Sequence, residues 1–192
     1  MLSAAEIGEY ERLGYLRLKS LVPAPLLFKI NRFFDALLVV DDSPGKMIVS
    51  NAAGDFVANV DGLCSQPDHS CLELLALPAI IEVARTICGD DFFPIQEWAV
   101  IKHRGDDQHI AWHQDMVHRR KGRCFTMGIY LDDAEPGDGA LRVVPESHAN
   151  GRDICALANE PFVEVPMKAG DALIHDMMLA HSSGPLANKP IR

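Results

Sequence analysis

The chain has 192 residues, 48% of them hydrophobic and 23% charged, a mix that gives one domain its own core and excludes a disordered or fibrous chain. Its formal net charge of −9 argues against a duplex-binding protein, because phosphate backbones require cationic surfaces. No run approaches the roughly 20 apolar residues of a membrane-spanning helix, and the acid-bearing N-terminus has no signal-peptide stretch. A soluble, cytoplasmic protein without nucleic-acid or membrane partners is therefore expected.

Ser3 followed by Glu6 is a capping-box pattern, and Ile7, Tyr10 and Leu13 fall at helical spacing until Gly14 stops them. Residues 15–18 alternate apolar and basic or aromatic side chains and read as a short strand. Pro23 and Pro25 open a second helix to about residue 40, with Leu26, Leu27, Ile30, Phe33, Phe34 and Leu37 on its buried face. Residues 41–70 carry Asp, Asn, Gly and Pro without period and read as loop, with one strand near 47–50. A third helix runs from Cys71 or Pro78 to Ile87, closed by Gly89. Five cysteines (Cys64, Cys71, Cys88, Cys124 and Cys155) form no CxxC pair, so reduced thiols are expected rather than a disulfide framework or a zinc ribbon.

After Pro94 the character changes. Short β-type runs at 95–102, 110–112, 124–131, 140–144, 162–165, 172–174 and 178–182 alternate with turn clusters such as Glu135-Pro136-Gly137-Asp138-Gly139. Helices followed by strands predict an α+β chain in a single domain. A helical N-terminal part, about 1–93, packs on a barrel or sandwich core, about 94–192.

Within that core, Trp112-His113-Gln114-Asp115 is the informative stretch. Residues i and i+2 of a strand share a face, so His113 and Asp115 bring an imidazole and a carboxylate into one space. Those are two members of the two-histidine, one-carboxylate triad that holds non-haem iron(II) and leaves positions open. Alone, such a pair is a weak signal. A third ligand must come from a distant strand, and His175 and His181 both qualify. His181 alone is followed by Ser183 and, eleven residues on, by Arg192. A permanently charged bidentate donor at that distance suits the far carboxylate of 2-oxoglutarate.

Taken together, WHQD at 112–115, GALRVVPESH at 139–148, Gly170-Asp171 and His181-Ser182-Ser183-Gly184-Pro185 with Arg192 resemble the phytanoyl-CoA dioxygenase family over roughly residues 8–192. The resemblance implies a double-stranded β-helix (jelly-roll, cupin-like) core with N-terminal helices packed on it. It implies Fe(II) held by the catalytic residues His113, Asp115 and His181, with 2-oxoglutarate and O2 as co-substrates. Arg192 and Ser183 would anchor 2-oxoglutarate, and Gln114 and Lys102 match further cofactor-binding positions. The implied activity is hydroxylation of a small molecule with release of succinate and CO2. Halogenation is disfavoured, because Asp115 fills the position chloride would need. The alternative is a catalytically impaired metal- or ligand-binding member of the same fold. The family's arginine begins a final core strand, and because the sequence stops at Arg192 that strand is expected to be missing.

Other residues have plainer readings. His109 suits a loop beside the site, and His148 ends a structural Pro-x-Ser-His turn. Trp112 is a core residue or a site wall. Arg119, Arg120, Lys121 and Arg123 form a solvated hairpin tip or, alternatively, a dock for an anionic substrate group. Asn59, Asp61 and Gln96 are candidates for lining the pocket.

Overall fold

The computed structural model describes residues 2–52, 54–103, 110–116, 122–151 and 153–188. Its first helix, α1 (Ala4–Leu13), starts on the capping box: the Ser3 hydroxyl accepts from the Glu6 amide at 3.2 Å, and the Glu6 carboxylate accepts from the Ser3 amide at 2.7 Å. Gly14 ends it with φ at 83°, the left-handed cap that a residue without Cβ adopts freely. There follow β1 (Tyr15–Leu18), α2 (Ala24–Leu37), β2 (Lys46–Asn51), β3 (Gly54–Asp61), α3 (Ser70–Leu75) and α4 (Pro78–Cys88). The second half holds β4 (Trp98–Val100), β5 (Ile110–His113), β6 (Phe125–Ile129) and β7 (Leu141–Val143). Two single-turn helices, α5 (Ser147–Asn150) and α6 (Ile154–Leu157), precede β8 (Val163–Val165), β9 (Ala172–Asp176) and β10 (His181–Ser183).

The strands form three antiparallel sheets, ordered β1-β9-β6, β5-β10-β7-β8 and β2-β3-β4. The first two enclose a shared apolar layer in which Leu173 and Tyr15 meet Val143, Val165, Met167 and Leu179. Alternation along β9 serves both of its faces. Ala172 and Ile174 point the other way, against Tyr10, Leu16, Leu18, Val83 and Ile87 of α1, β1 and α4. Each fully buried Leu or Ile there contributes about 1.5–3 kcal/mol. The N-terminal helices are thus fixed to the outside of the sheet whose inside faces the site.

A buried carboxylate fastens that arrangement. Asp171, 2% exposed, accepts from the Ser20 amide at 2.8 Å, the Lys168 amide at 2.9 Å and the Arg17 guanidinium at 2.6 Å. It joins the end of β1 to the turn that enters β9. Gly170 makes the turn possible: its φ is +88°, and a Cβ there would stand 3.3 Å from the Val22 carbonyl.

The α+β expectation holds, with three corrections. Residues 41–70 are not loop with one strand. They include the hairpin β2–β3, which with β4 makes the third sheet. Asp55, Asn59 and Asp61 break the apolar pattern of β3, whose Val57 and Val60 are nevertheless fully buried against Phe33 and Leu37 of α2. The expected third helix is two, α3 and α4, because the residue before Pro78 is driven out of the helical region; Leu77 has ψ 127°. The run at 178–182 is strand only from His181, since Met178 and Leu179 form a turn on Asp176. The first 93 residues are therefore not a helical part alone, as β1 enters the core sheet itself.

Candidate metal centre

His113 closes β5 and His181 opens β10, and the antiparallel register sets them directly opposite each other. Their rings lie 4.1 Å apart between centroids. Each ring is oriented by its own backbone: His113 Nδ1 is 2.8 Å from the Ala111 carbonyl and His181 Nδ1 is 2.9 Å from that of Leu179. Donation from Nδ1–H to these carbonyls leaves the lone pair on Nε2 in both rings. Both Nε2 atoms stand 3.5 Å from the same oxygen, Asp115 Oδ1. One ligand atom from each of the three residues lies within 4.8 Å of the other two.

Asp115 reaches this point differently from the strand spacing expected of it. It lies in a bend just beyond β5, where Met116 donates to the Met177 carbonyl at 3.0 Å. Its second oxygen, Oδ2, accepts from the Thr126 hydroxyl at 2.6 Å. Thr126 sits on β6, in the facing sheet. Sequence reasoning missed it, because a threonine in an apolar strand carries no signal until the register shows what stands across from it.

The electrostatics suit a divalent cation. Burial would raise the Asp115 pKa, but its close contact with His113, the Thr126 hydroxyl bond and the neighbouring His181 and His175 outweigh it and hold the carboxyl ionised. Burial, followed by His175 and His113, pushes His181 down to about 3, so its imidazole is neutral at neutral pH. The Asp115 carboxylate raises His113 above the ordinary value. One carboxylate oxygen and two imidazole Nε2 atoms thus converge on a common point, which is the donor chemistry an iron(II) ion fits.

His175, the rival third ligand, comes from β9 in the facing sheet. Its Nε2 is 3.9 Å from Asp115 Oδ2, and its ring packs 4.4 Å from that of His181. It stands behind the carboxylate and outside the three-residue cluster. Ser183 shares the face of His181 two residues on and is buried. Lys102 is buried as well, its ammonium donating to the Gly184 carbonyl. The Gln114 amide donates to the Met178 carbonyl, tying the two ligand-bearing segments together. Arg192, His109, Arg119, Arg120 and Lys121 lie outside the described residues. Arg123 pairs with Glu11 at 3.0 Å. Trp112 turns away from His113 and packs against Phe162, 5.7 Å between centroids, and the Val144–Leu157 cluster. Asn59 donates to Asp61 at 3.1 Å and faces a cavity, whereas Gln96 is exposed. His148 lies beside α1, its Nε2 3.2 Å from the Glu11 carbonyl. All five cysteines are free thiols. Among the described residues no helix is long and apolar enough to cross a membrane.

Two facing antiparallel sheets with two imidazoles and one carboxylate converging on a point between them have the architecture of the jelly-roll non-haem iron oxygenases. The chain belongs to the phytanoyl-CoA dioxygenase (PhyH) family, whose model matches residues 10–192. Among curated proteins, L-proline trans-4-hydroxylase of Streptomyces griseoviridis is 29% identical over 94 residues, 46% of this chain. That match spans about a third of the relative's length, 35%. The crystal structure of AviO1 from Streptomyces viridochromogenes Tue57 superposes with a TM-score of 0.82 at 27% identity, covering 98% of this chain and 90% of that one. EctD from S. alaskensis, solved with 2-oxoglutarate and 5-hydroxyectoine, gives a TM-score of 0.82 at 22% identity over 100% of this chain and 73% of that one. At that identity the likeness concerns the fold.

Proposed function

We propose that this protein is a non-haem iron(II)- and 2-oxoglutarate-dependent dioxygenase that hydroxylates a small molecule. The observation that carries the reading is the convergence of His113 Nε2, His181 Nε2 and Asp115 Oδ1, with both imidazole tautomers set by backbone carbonyls. Iron(II) bound there, with 2-oxoglutarate and O2 as co-substrates, supplies the oxidising power and leaves succinate and CO2 as by-products. The chain's own part is ligation, orientation and exclusion of water. His113 and His181 give lone pairs, and Asp115 offsets one unit of the metal's charge. Ser183, Lys102 and Arg192 are assigned to the anionic co-substrate, and Gln114 to bracing the two ligand segments from beside the centre. A cavity of about 220 Å³ lies beside β5, lined by Met47, Asn59, Val100, Lys102 and Ile110. Its mostly apolar wall with a few polar groups suits a small-molecule substrate.

The test is anaerobic titration of iron(II) and 2-oxoglutarate into the purified chain, following the visible metal-to-ligand charge-transfer band. A band that requires both components and disappears in His113→Ala and Asp115→Ala is the expected result. A folded chain that gives no band under these conditions would sink the reading and leave the catalytically impaired member in its place.

A further inference from the structure

We propose that Thr126 is a positioning residue that restricts Asp115 to ligation through a single oxygen. The inference rests on the metal-site reading above. The structure distinguishes the two carboxylate oxygens sharply. Oδ1 is the one 3.5 Å from both imidazole Nε2 atoms, whereas Oδ2 accepts the Thr126 hydroxyl at 2.6 Å. A hydroxyl bonded to an ionised carboxylate at that length is a charge-assisted hydrogen bond, about twice as strong as a neutral one.

Why Asp115 needs such a hold follows from its place in the chain. His113 and His181 are fixed by a strand ladder and by their Nδ1 bonds. Asp115 sits in a bend past the end of β5, outside the strand ladder that fixes the two histidines. Carboxylates bind hard cations through one oxygen or through both. With one oxygen, the triad leaves three positions of an octahedral ion open, enough for a chelating co-substrate and O2 together. With both, it leaves two, and one of those partners is displaced. Oδ2 therefore has to be occupied elsewhere.

The facing sheet does this. Thr126 on β6 is paired across β9 with His175, so the two side chains stand next to each other on one face. His175 Nε2 is 3.9 Å from the same Oδ2, and the residue is 5% exposed. The space behind Asp115 is thus closed by side chains on two paired strands, which leaves Thr126 as the short hydrogen-bond donor to Oδ2 among the described residues. Its β-branch limits χ1 and holds the hydroxyl on its target. The ligands come from one sheet and the brace from the other, so the bond also measures the separation of the two sheets at the metal.

The experiment compares wild type, Thr126→Val and Thr126→Ser as metal-free proteins. Iron(II) and cobalt(II) are titrated anaerobically without 2-oxoglutarate, and the melting temperature of each metal-free protein is recorded. The expected result is an iron(II) Kd raised about 10–100-fold in Thr126→Val, the usual cost of losing an outer partner of a ligand. The visible cobalt(II) bands should change position and intensity as a second carboxylate oxygen takes a coordination position from water, the metal-free melting temperature should stay at the wild-type value, and Thr126→Ser should restore affinity and spectrum. If Thr126→Val does not fold, Thr126→Ala removes the hydroxyl without adding bulk and is read in the same way. A valine variant with wild-type affinity and spectrum overturns the proposal, and so does a loss that serine fails to restore. If His113→Ala leaves wild-type iron binding intact, the site reading itself fails, an outcome distinct from both.

Discussion

Strand β9 and strand β2 are similar in length, yet the fold treats them in opposite ways. Ala172, Leu173, Ile174 and His175 are all buried, with α1 and α4 on one side and the site on the other. Along β2, Met47 and Ile48 are exposed, and across β3 their neighbour Val100 on β4 is 48% exposed. The first region has no freedom, because each substitution meets packing on two faces. The second keeps one face on α2 and turns the other to the cavity beside β5. The proposed metal ligation needs the rigidity of the first, while the proposed substrate cavity can be altered through the second with little effect on the fold.

Truncating Leu173 to alanine is the most direct way to break this contrast. The residue is 1% exposed, and we expect a loss of about 3 kcal/mol, from lost transfer free energy plus a cavity that the two sheets cannot close. Urea denaturation monitored by circular dichroism measures it. Next in size is Asp171→Asn, expected to cost about 2 kcal/mol at neutral pH. That is below the usual value for breaking a buried pair, because the Arg17 side chain is 25% exposed and rehydrates. Burial would raise the Asp171 pKa, but the Ser20 and Lys168 amides and Arg17 overcome it and lower the value. Its contribution is therefore complete above the ordinary carboxylate pKa of about 4 and is lost as pH falls through the lower folded value. Denaturation at pH 7 and at pH 3 should show a shallower acid loss in the variant than in wild type; equal slopes would contradict this account. The smallest effect belongs to Val100→Ala, within about 0.5 kcal/mol of wild type, seen as an unchanged melting temperature. A large loss there would erase the distinction between the two regions.

Local signals carried much of this far. The capping box at Ser3 and Glu6 and the stop at Gly14 were legible because each is a contact between residues close in sequence or a backbone angle that glycine alone adopts cheaply. The hairpin β2–β3 was not, because its polar residues obey a face that only α2 and the cavity define. The pairing of His113 with Asp115 was legible as spacing, although the reason differs: the carboxylate arrives through a bend rather than along a strand.

What the sequence by itself determined is the donor inventory, the α+β class and the family, since the residue types and spacings that carry them lie along the chain. The tertiary structure decided how His181, the ligand the sequence already favoured over His175, comes to stand beside His113: β10 pairs with β5, whereas β9 lies in the facing sheet. It also decided that Thr126 meets Asp115 across the barrel. Both are consequences of pairing between strands far apart in the chain, and the identity of so distant a partner strand is not written in the local pattern of either strand.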